Sequence, residues 1–284
     1  PEIKLVKNTK YSGPHPDSLS QPQDTSAQIN RISLDLLKVK DLSIDYYLYD
    51  NESPDLSIHS INLELDNPVI DPRQIHHIDK ALLVKKIELE VNGILFKDQK
   101  GLYDISLQQI IFEDSAATIR LKEFKIKPLL NKRKFAAIHP YQSDRFDGKV
   151  KEIIISNLDI DRLLSEEVIA IEKIQISDAD MELFRDKNRP FNYNNFPKLP
   201  QEALRNLKQV IEIDEIEISS SNVLYSETAE GAEAAGKVAY KDIQAKLEHL
   251  GNSKEWQKSK SMVINVQAKA FGKGPLHAQF YFPL

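Results

Sequence analysis

Residues 173–184 read KIQISDADMELF and residues 215–226 read EIEISSSNVLYS. In each string apolar residues alternate with polar ones, a polar pair intervenes, and the alternation resumes. Ile174 and Ile176 are followed by Met181 and Leu183, and Ile216 and Ile218 by Val223 and Tyr225. Period two sends successive side chains to opposite faces of an extended chain, so each string predicts β-structure with one apolar face. The step across the polar pair is five residues. An odd step turns the apolar set onto the other face unless a turn or bulge restores the phase. Ser, Asp and Asn suit such a place because their side chains bond nearby backbone. Each string is therefore a tight hairpin or a bulged, sharply curved strand.

The spacing recurs along the chain. Leu37, Val39, Ile44 and Tyr46 repeat it fully; Ile119, Leu121 and Ile126, and Ile153, Ile155 and Ile160, repeat three of four positions. The intervening pairs are Lys40-Asp41, Lys122-Glu123, Ser156-Asn157, Ser177-Asp178 and Ser219-Ser220. A longer duplication aligns Leu37–Leu65 with Ile216–Leu247, at an offset of 179 from Leu37 to Ile216 and 182 from Ile61 to Ile243. Repetition of one supersecondary unit predicts an extended array. Two hairpins are expected outright. Alternating runs flank Gly272-Lys273-Gly274-Pro275, with Met262, Ile264 and Val266 before it and Leu276, Ala278, Phe280 and Phe282 after it. The second is centred on Asn92-Gly93, a pair that supplies the positive φ of a two-residue turn.

Helix signals are few. Pro200 precedes an amphipathic stretch through Ala203, Leu204, Leu207 and Val210; Asp71-Pro72 precedes Ile75, Ile78 and Leu82; Leu163, Leu164 and Val168 suit a single turn. The fold expected is mainly β: an elongated, curved antiparallel sheet of repeated hairpins, a groove or open sandwich, with one to three short helices. Residues 11–30 are rich in Ser, Pro, Gln and Asp, so the first thirty residues read as a flexible linker or tether. A first β-unit is expected over 31–145 and a second, continuous with it, over 146–284.

The composition excludes several function classes. Among 284 residues, 38 Lys and Arg face 43 Asp and Glu, and a net charge of -5 argues against a general nucleic-acid binder. Cysteine is absent, which removes disulfides, thiolate metal sites and cysteine nucleophiles. Nine glycines are too few for Gly-rich phosphate loops or dinucleotide folds. No apolar run reaches the ~18 residues of a spanning helix. A start at Pro1 reads as part of a longer protein.

Candidate chemistry is thin. His76-His77 are adjacent and point apart, a poor chelate with no third ligand, so no metal is expected. The acid pairs Asp159/Asp161, Asp178/Asp180 and Glu215/Glu217 lie at i, i+2 beside the repeat, the pattern of a solvated strand face rather than a catalytic pair across a cleft. Lys132-Arg133-Lys134 reads as a solvated basic loop, with lipid headgroups or nucleic acid as the functional alternative. Phe191, Tyr193, Phe196 and Trp256 read as loop packing onto the sheet, with a binding platform as the functional alternative. No catalytic residue and no cofactor are expected.

Two strings, Glu215–Asn252 and Lys173–Phe191, resemble the AsmA-like envelope proteins of Gram-negative bacteria. The resemblance implies a long antiparallel sheet with an apolar interior that moves or holds lipid between membranes. It also implies a periplasmic location and an inner-membrane anchor, here in a segment outside this chain. On that footing the chain is a non-enzymatic envelope protein that supports outer-membrane homeostasis. Its partners are lipid or another amphipathic molecule, and envelope proteins that pair with its strand edges. The groove-facing candidates are Ile176, Met181, Leu183, Ile218, Val223, Tyr225, Ile264, Val266, Phe280 and Phe282. The rival reading is a β-sandwich structural or adhesive module that binds protein or glycan through the loops 187–197 and 228–236.

Overall fold

A computed structural model describes residues 2–7, 31–47, 53–71, 82–98, 100–114, 117–194, 196 and 200–283. The alternating strings form strands: β1 (Glu2–Lys7), β2 (Ile32–Tyr46), β3 (Leu56–Asp66), β4 (Val69–Ile70), β5 (Leu82–Leu83), β6 (Lys86–Lys97), β7 (Tyr103–Glu113) and β8 (Thr118–Pro128). They continue as β9 (Asp144–Leu158), β10 (Val168–Asp186), β11 (Val210–Thr228), β12 (Ala235–Gly251), β13 (Ser261–Ala270) and β14 (Gly274–Pro283). The described helices are α1 (Lys132–Ile138), α2 (Ile160–Glu166), α3 (Pro200–Arg205) and α4 (Lys254–Ser259). That is four, where at most three were expected.

One open, curved sheet holds all the strands, in the order β14-β13-β12-β11-β10-β9-β8-β7-β6-β3-β2-β4-β5, with β1 also beside β2. Neighbours are antiparallel except β10 and β11, which run parallel and make the sheet mixed. A parallel pair needs a crossover, and residues 187–209 provide it between the end of β10 and the start of β11. The boundary expected at 145/146 falls inside β9, and the ladder between β9 and β10 runs straight across it. Within the stretch expected as a tether over 1–30, β1 pairs with β2 along Glu2–Lys7; residue 1 and residues 8–30 lie outside the described residues.

The polar pairs are bulges within long strands, not hairpin turns. Asp41, Glu123, Asp178, Ser220 and Asp242 all have φ between 49 and 54°, and Gly93 has φ 66°. These residues fall in register across the sheet. Gly93 and Glu123 lie on either side of Gln108, and Glu123 and Asp178 on either side of Lys151. A left-handed residue puts two consecutive side chains on the same face, which absorbs the odd step. Side chains then satisfy the backbone the bulge disturbs: Asp41 N donates to Asn62 Oδ1 at 3.0 Å, Asp242 N to Asn222 Oδ1 at 3.2 Å, and Ala179 N to Ser221 Oγ at 3.2 Å. Asn157 (φ 54°) and His249 (φ 62°) mark a second line of bulges nearer the other strand end.

This geometry corrects one expectation. Asn92-Gly93 is no hairpin turn; both residues lie within β6, which pairs with β3 and β7 on either side of them. Positive φ is shared by a two-residue turn and a bulge, and the neighbouring strands decide between them. The duplication is visible in the ladders. Leu37, Val39, Leu42 and Ile44 face Leu65, Leu63, Ile61 and Ile58; Ile216, Ile218, Ser221 and Val223 face Leu247, Ala245, Ile243 and Tyr240. The same offsets of 179 and 182 relate all four pairs. The β13–β14 hairpin forms about Phe271, Gly272 and Lys273.

Helices depart from the sequence reading in four places. Ile160 opens α2 instead of continuing the strand pattern, because Asp159 caps the helix by accepting from Arg162 N. Lys132-Arg133-Lys134, read as a loop, is the first turn of α1, capped by Asn131. His139 ends α1 because Pro140 disfavours a helical predecessor. α3 stops at Arg205, and Leu207 and Val210 lie beyond it. Of the helix expected after Asp71, residues 72–81 lie outside the described residues, and Leu82 pairs in β5.

Candidate functional site

Cross-strand partners in a sheet share a face, so the ladders fix which side chains stand together. One row runs Val39, Leu63, Leu89, Phe112, Ile119, Ile155, Ile174, Ile216, Leu247, Ile264 and Phe280, every member apolar across eleven strands. The next runs Leu42, Ile61, Val91, Ile110, Leu121, Ile153, Ile176, Ile218, Ala245, Val266 and Ala278. Beyond the bulges a third passes from Ile44 through Leu107, Phe124 and Val150 to Ile243. A fourth passes from Tyr46 through Ile126, Met181 and Val223 to Tyr240. At ~4.8 Å between strands the first two rows are roughly 50 Å wide.

Among the described residues nothing covers this face. Between two packed sheets, the inward rows would be buried. In the four rows only Val91, Val150, Ala179 and Ser221 are buried; the rest are half-buried or exposed. All ten sequence candidates stand on this face. Ile176, Ile218 and Val266 share one row, Ile264 and Phe280 another, and Met181 and Val223 a third. Leu183 pairs with Tyr225 in the last row of β10 and β11, and Phe282 stacks beside Phe280 with ring centroids 6.4 Å apart.

The opposite face is charged. Lys173 reaches Glu215 at 2.9 Å and Glu217 at 2.8 Å, and Lys246 reaches Glu215 at 2.9 Å and Glu248 at 3.0 Å. Between two ammonium groups the Glu215 carboxyl falls to a pKa of about 2, chiefly through its bonds to Lys246 and Lys173. Lys149 pairs with Asp180, Lys151 with Asp178 and Arg120 with Glu152. Of the acid pairs singled out in the sequence, Asp178, Asp180, Glu215 and Glu217 are thus ion-pair members, Asp159 caps a helix, and Asp161 lies in that helix's first turn. Among the described residues no cluster of three or more His, Cys, Asp and Glu side chains has metal-binding geometry. His76-His77 lie outside the described residues.

Where the apolar rows end, polar groups take over. Arg185 clasps Asp144 through two bonds of 2.7 and 2.6 Å, and Lys187 meets Glu227 at 2.9 Å. Tyr225 donates its hydroxyl to Glu227. Burial first, and then this carboxylate, push its pKa up to about 12. An apolar surface bordered by paired charges suits an amphipathic molecule: hydrocarbon along the rows, a polar group at the border. Sequence reasoning missed Asp144, Arg185 and Glu227, because Asp144 and Arg185 lie 41 residues apart in the chain. The signal that could have found them is Arg185 two residues beyond Leu183, on the same face by alternation.

No family model and no curated protein matches the chain. The site stands on its geometry alone. Among the described residues no helix is long and apolar enough to cross a membrane.

Proposed function

We propose that the chain holds or transfers lipid, or another amphipathic molecule, along its apolar sheet face, without catalysing a reaction. The observation that supports this is the set of apolar rows across eleven strands that neither a second sheet nor a described helix buries. Patches of that extent mark binding surfaces. Hydrocarbon lying along the rows gains about 0.8 kcal/mol per methylene removed from water, with no need for specific contacts. This agrees with the AsmA-like resemblance, and in that reading the protein works in the periplasm, tethered to the inner membrane through a segment outside this chain. The outer edge of β14, paired on one side only, is where an envelope protein would add a strand.

Native mass spectrometry of the purified protein, followed by solvent extraction, tests the reading. Co-purified phospholipid, or stoichiometric uptake of added phospholipid, is the expected result. Ile176→Gln combined with Ile218→Gln should lower uptake while leaving the β-sheet circular dichroism intact, since both side chains are only half-buried. A protein that neither carries nor takes up lipid ends the proposal.

A further inference from the structure

We propose that the end of the sheet that carries α1 docks on an anionic lipid surface. In an antiparallel array the strand ends line up along two rims, and the exposed aromatic side chains are concentrated on one of them. Tyr46 and Tyr47 at the end of β2, Phe96 near the end of β6, Phe146 near the start of β9, Tyr141 before it and Tyr193 after β10 all lie on this rim and are all exposed. The other rim carries the exposed aliphatic Ile32, Leu83, Leu164 and Leu207, and among the described residues its exposed aromatics are Phe280 and Tyr281, both toward the end of β14. Aromatic rings favour the boundary between headgroups and hydrocarbon because they are apolar bodies with a polarisable or polar edge.

The densest part of the rim is around α1. Phe135 and Ala136 are buried, and the Phe135 ring meets Tyr103 edge-on at 5.9 Å. That leaves Arg133, Lys134 and Ile138 outward, with Ile138 55% exposed. The crossover loop is joined to this element: Gln142 donates its backbone N–H to Pro190 O and its side-chain amide to Arg189 O, both at 3.1 Å. In that loop Phe191 packs against Tyr193 and Phe196, with ring centroids at 5.2 and 5.7 Å. Tyr193 is nonetheless 77% and Phe196 64% exposed, so these two rings are not spent on packing the loop against the sheet, as the sequence suggested.

Charge supplies the choice of partner. Lys132 is bound to Glu182 and Lys187 to Glu227, and Asp144 is held by Arg185. Arg133 and Lys134 form no ion pair among the described residues. Glu230 and Glu233 lie in the next turn along the rim, so the cationic stretch ends there. Cations beside exposed apolar side chains fit a bilayer with anionic headgroups, each cation contributing through the surface potential. Phe146 belongs both to this rim and to the last apolar row, where it pairs with Leu183. Docking would therefore open the apolar face toward the bilayer. The docking is independent of whether that face holds lipid; only exchange of lipid across the rim rests on the function proposed above.

Co-flotation of the whole chain with vesicles tests the docking. One vesicle set contains phosphatidylglycerol and phosphatidylethanolamine, and the other phosphatidylcholine alone. The protein should float with the first set and much less with the second. Tyr193→Ser combined with Ile138→Ser should weaken flotation roughly tenfold, ~1.4 kcal/mol shared by two partly inserted side chains. Arg133→Glu with Lys134→Glu should abolish the preference for phosphatidylglycerol. Leu164→Ser on the opposite rim should change neither. All these positions are exposed, and unchanged melting curves would confirm that the variants fold. Failure of the wild type to float, or equal loss in Leu164→Ser, overturns the proposal. So does self-association that Tyr193→Ser abolishes in the absence of flotation, because the rim would then be a protein contact. Lipid presented in detergent should still load the docking variants, which separates failure here from failure of lipid holding.

Discussion

Gly148 on β9 stands directly opposite Met181 on β10, and a Cβ at Gly148 would overlap the Met181 sulfur. The need for glycine is spatial, since Gly148 is not among the residues of positive φ. Met181 fills the gap in the fourth apolar row that Gly148 leaves. Gly148→Val should cost about 1–3 kcal/mol by overpacking, measured by urea unfolding. Adding Met181→Ala should recover part of that loss. A Gly148→Val protein as stable as wild type would show that Met181 has free room elsewhere on an uncovered face.

Gly93 and Gly101 separate backbone strain from crowding. Both have positive φ, 66 and 63°, but a Cβ at Gly93 would stand 2.9 Å from the His59 side chain, while one at Gly101 would meet nothing within 4 Å. Gly101→Ala should cost about 1 kcal/mol from φ alone. Gly93→Ala should cost more, about 2–3 kcal/mol, because the bulge cannot shift without moving β3. Equal losses in thermal melts would refute the crowding argument.

Glu215 makes stability depend on acid. Its folded pKa of about 2 lies below its ordinary value of 4.5. The stability it contributes is complete above the ordinary value and is lost as the pH falls from there toward about 2. Glu215→Gln should flatten the melting temperature over that interval and lower it at pH 7 by the same modest amount, because pairs this accessible to solvent are worth little. An unchanged acid slope in the variant would place the acid sensitivity elsewhere.

Glu212 ties two helices to the sheet. It is 8% exposed, pairs with Arg162 of α2 at 2.7 Å and accepts from Ser253, the cap of α4. Glu212→Ala removes both bonds and leaves Arg162 with Glu166 alone. The expected cost is about 1–3 kcal/mol, with faster amide exchange in α2 and α4 before the central strands. Uniform acceleration across the sheet would contradict a local role.

Much of the sheet was legible in the order of residues. Alternation through Ile174–Ile176 and Met181–Leu183 identified the apolar face of β10, and the odd step identified a break in phase at Ser177-Asp178. The matched offsets of two hairpins were also visible. Asn92-Gly93 misled because positive φ serves a turn and a bulge equally well. Lys132-Arg133-Lys134 misled because its helix is fixed by the Asn131 cap and by burial of Phe135, of which the cap alone could be read locally. Asp144 and Arg185 are 41 residues apart in the chain and meet only when β9 pairs with β10.

Which side of a strand Ile218 or Val266 occupies follows from covalent geometry, since successive side chains in extended chain point opposite ways whatever surrounds them. Whether those side chains meet a second layer does not follow, because a covered and an uncovered face carry the same alternation. Assembly of the strands into one open sheet left the face without a second layer among the described residues. It also gathered Tyr141, Phe146 and Tyr193 on one rim, a grouping made by hydrogen-bonded register between segments that lie far apart along the chain.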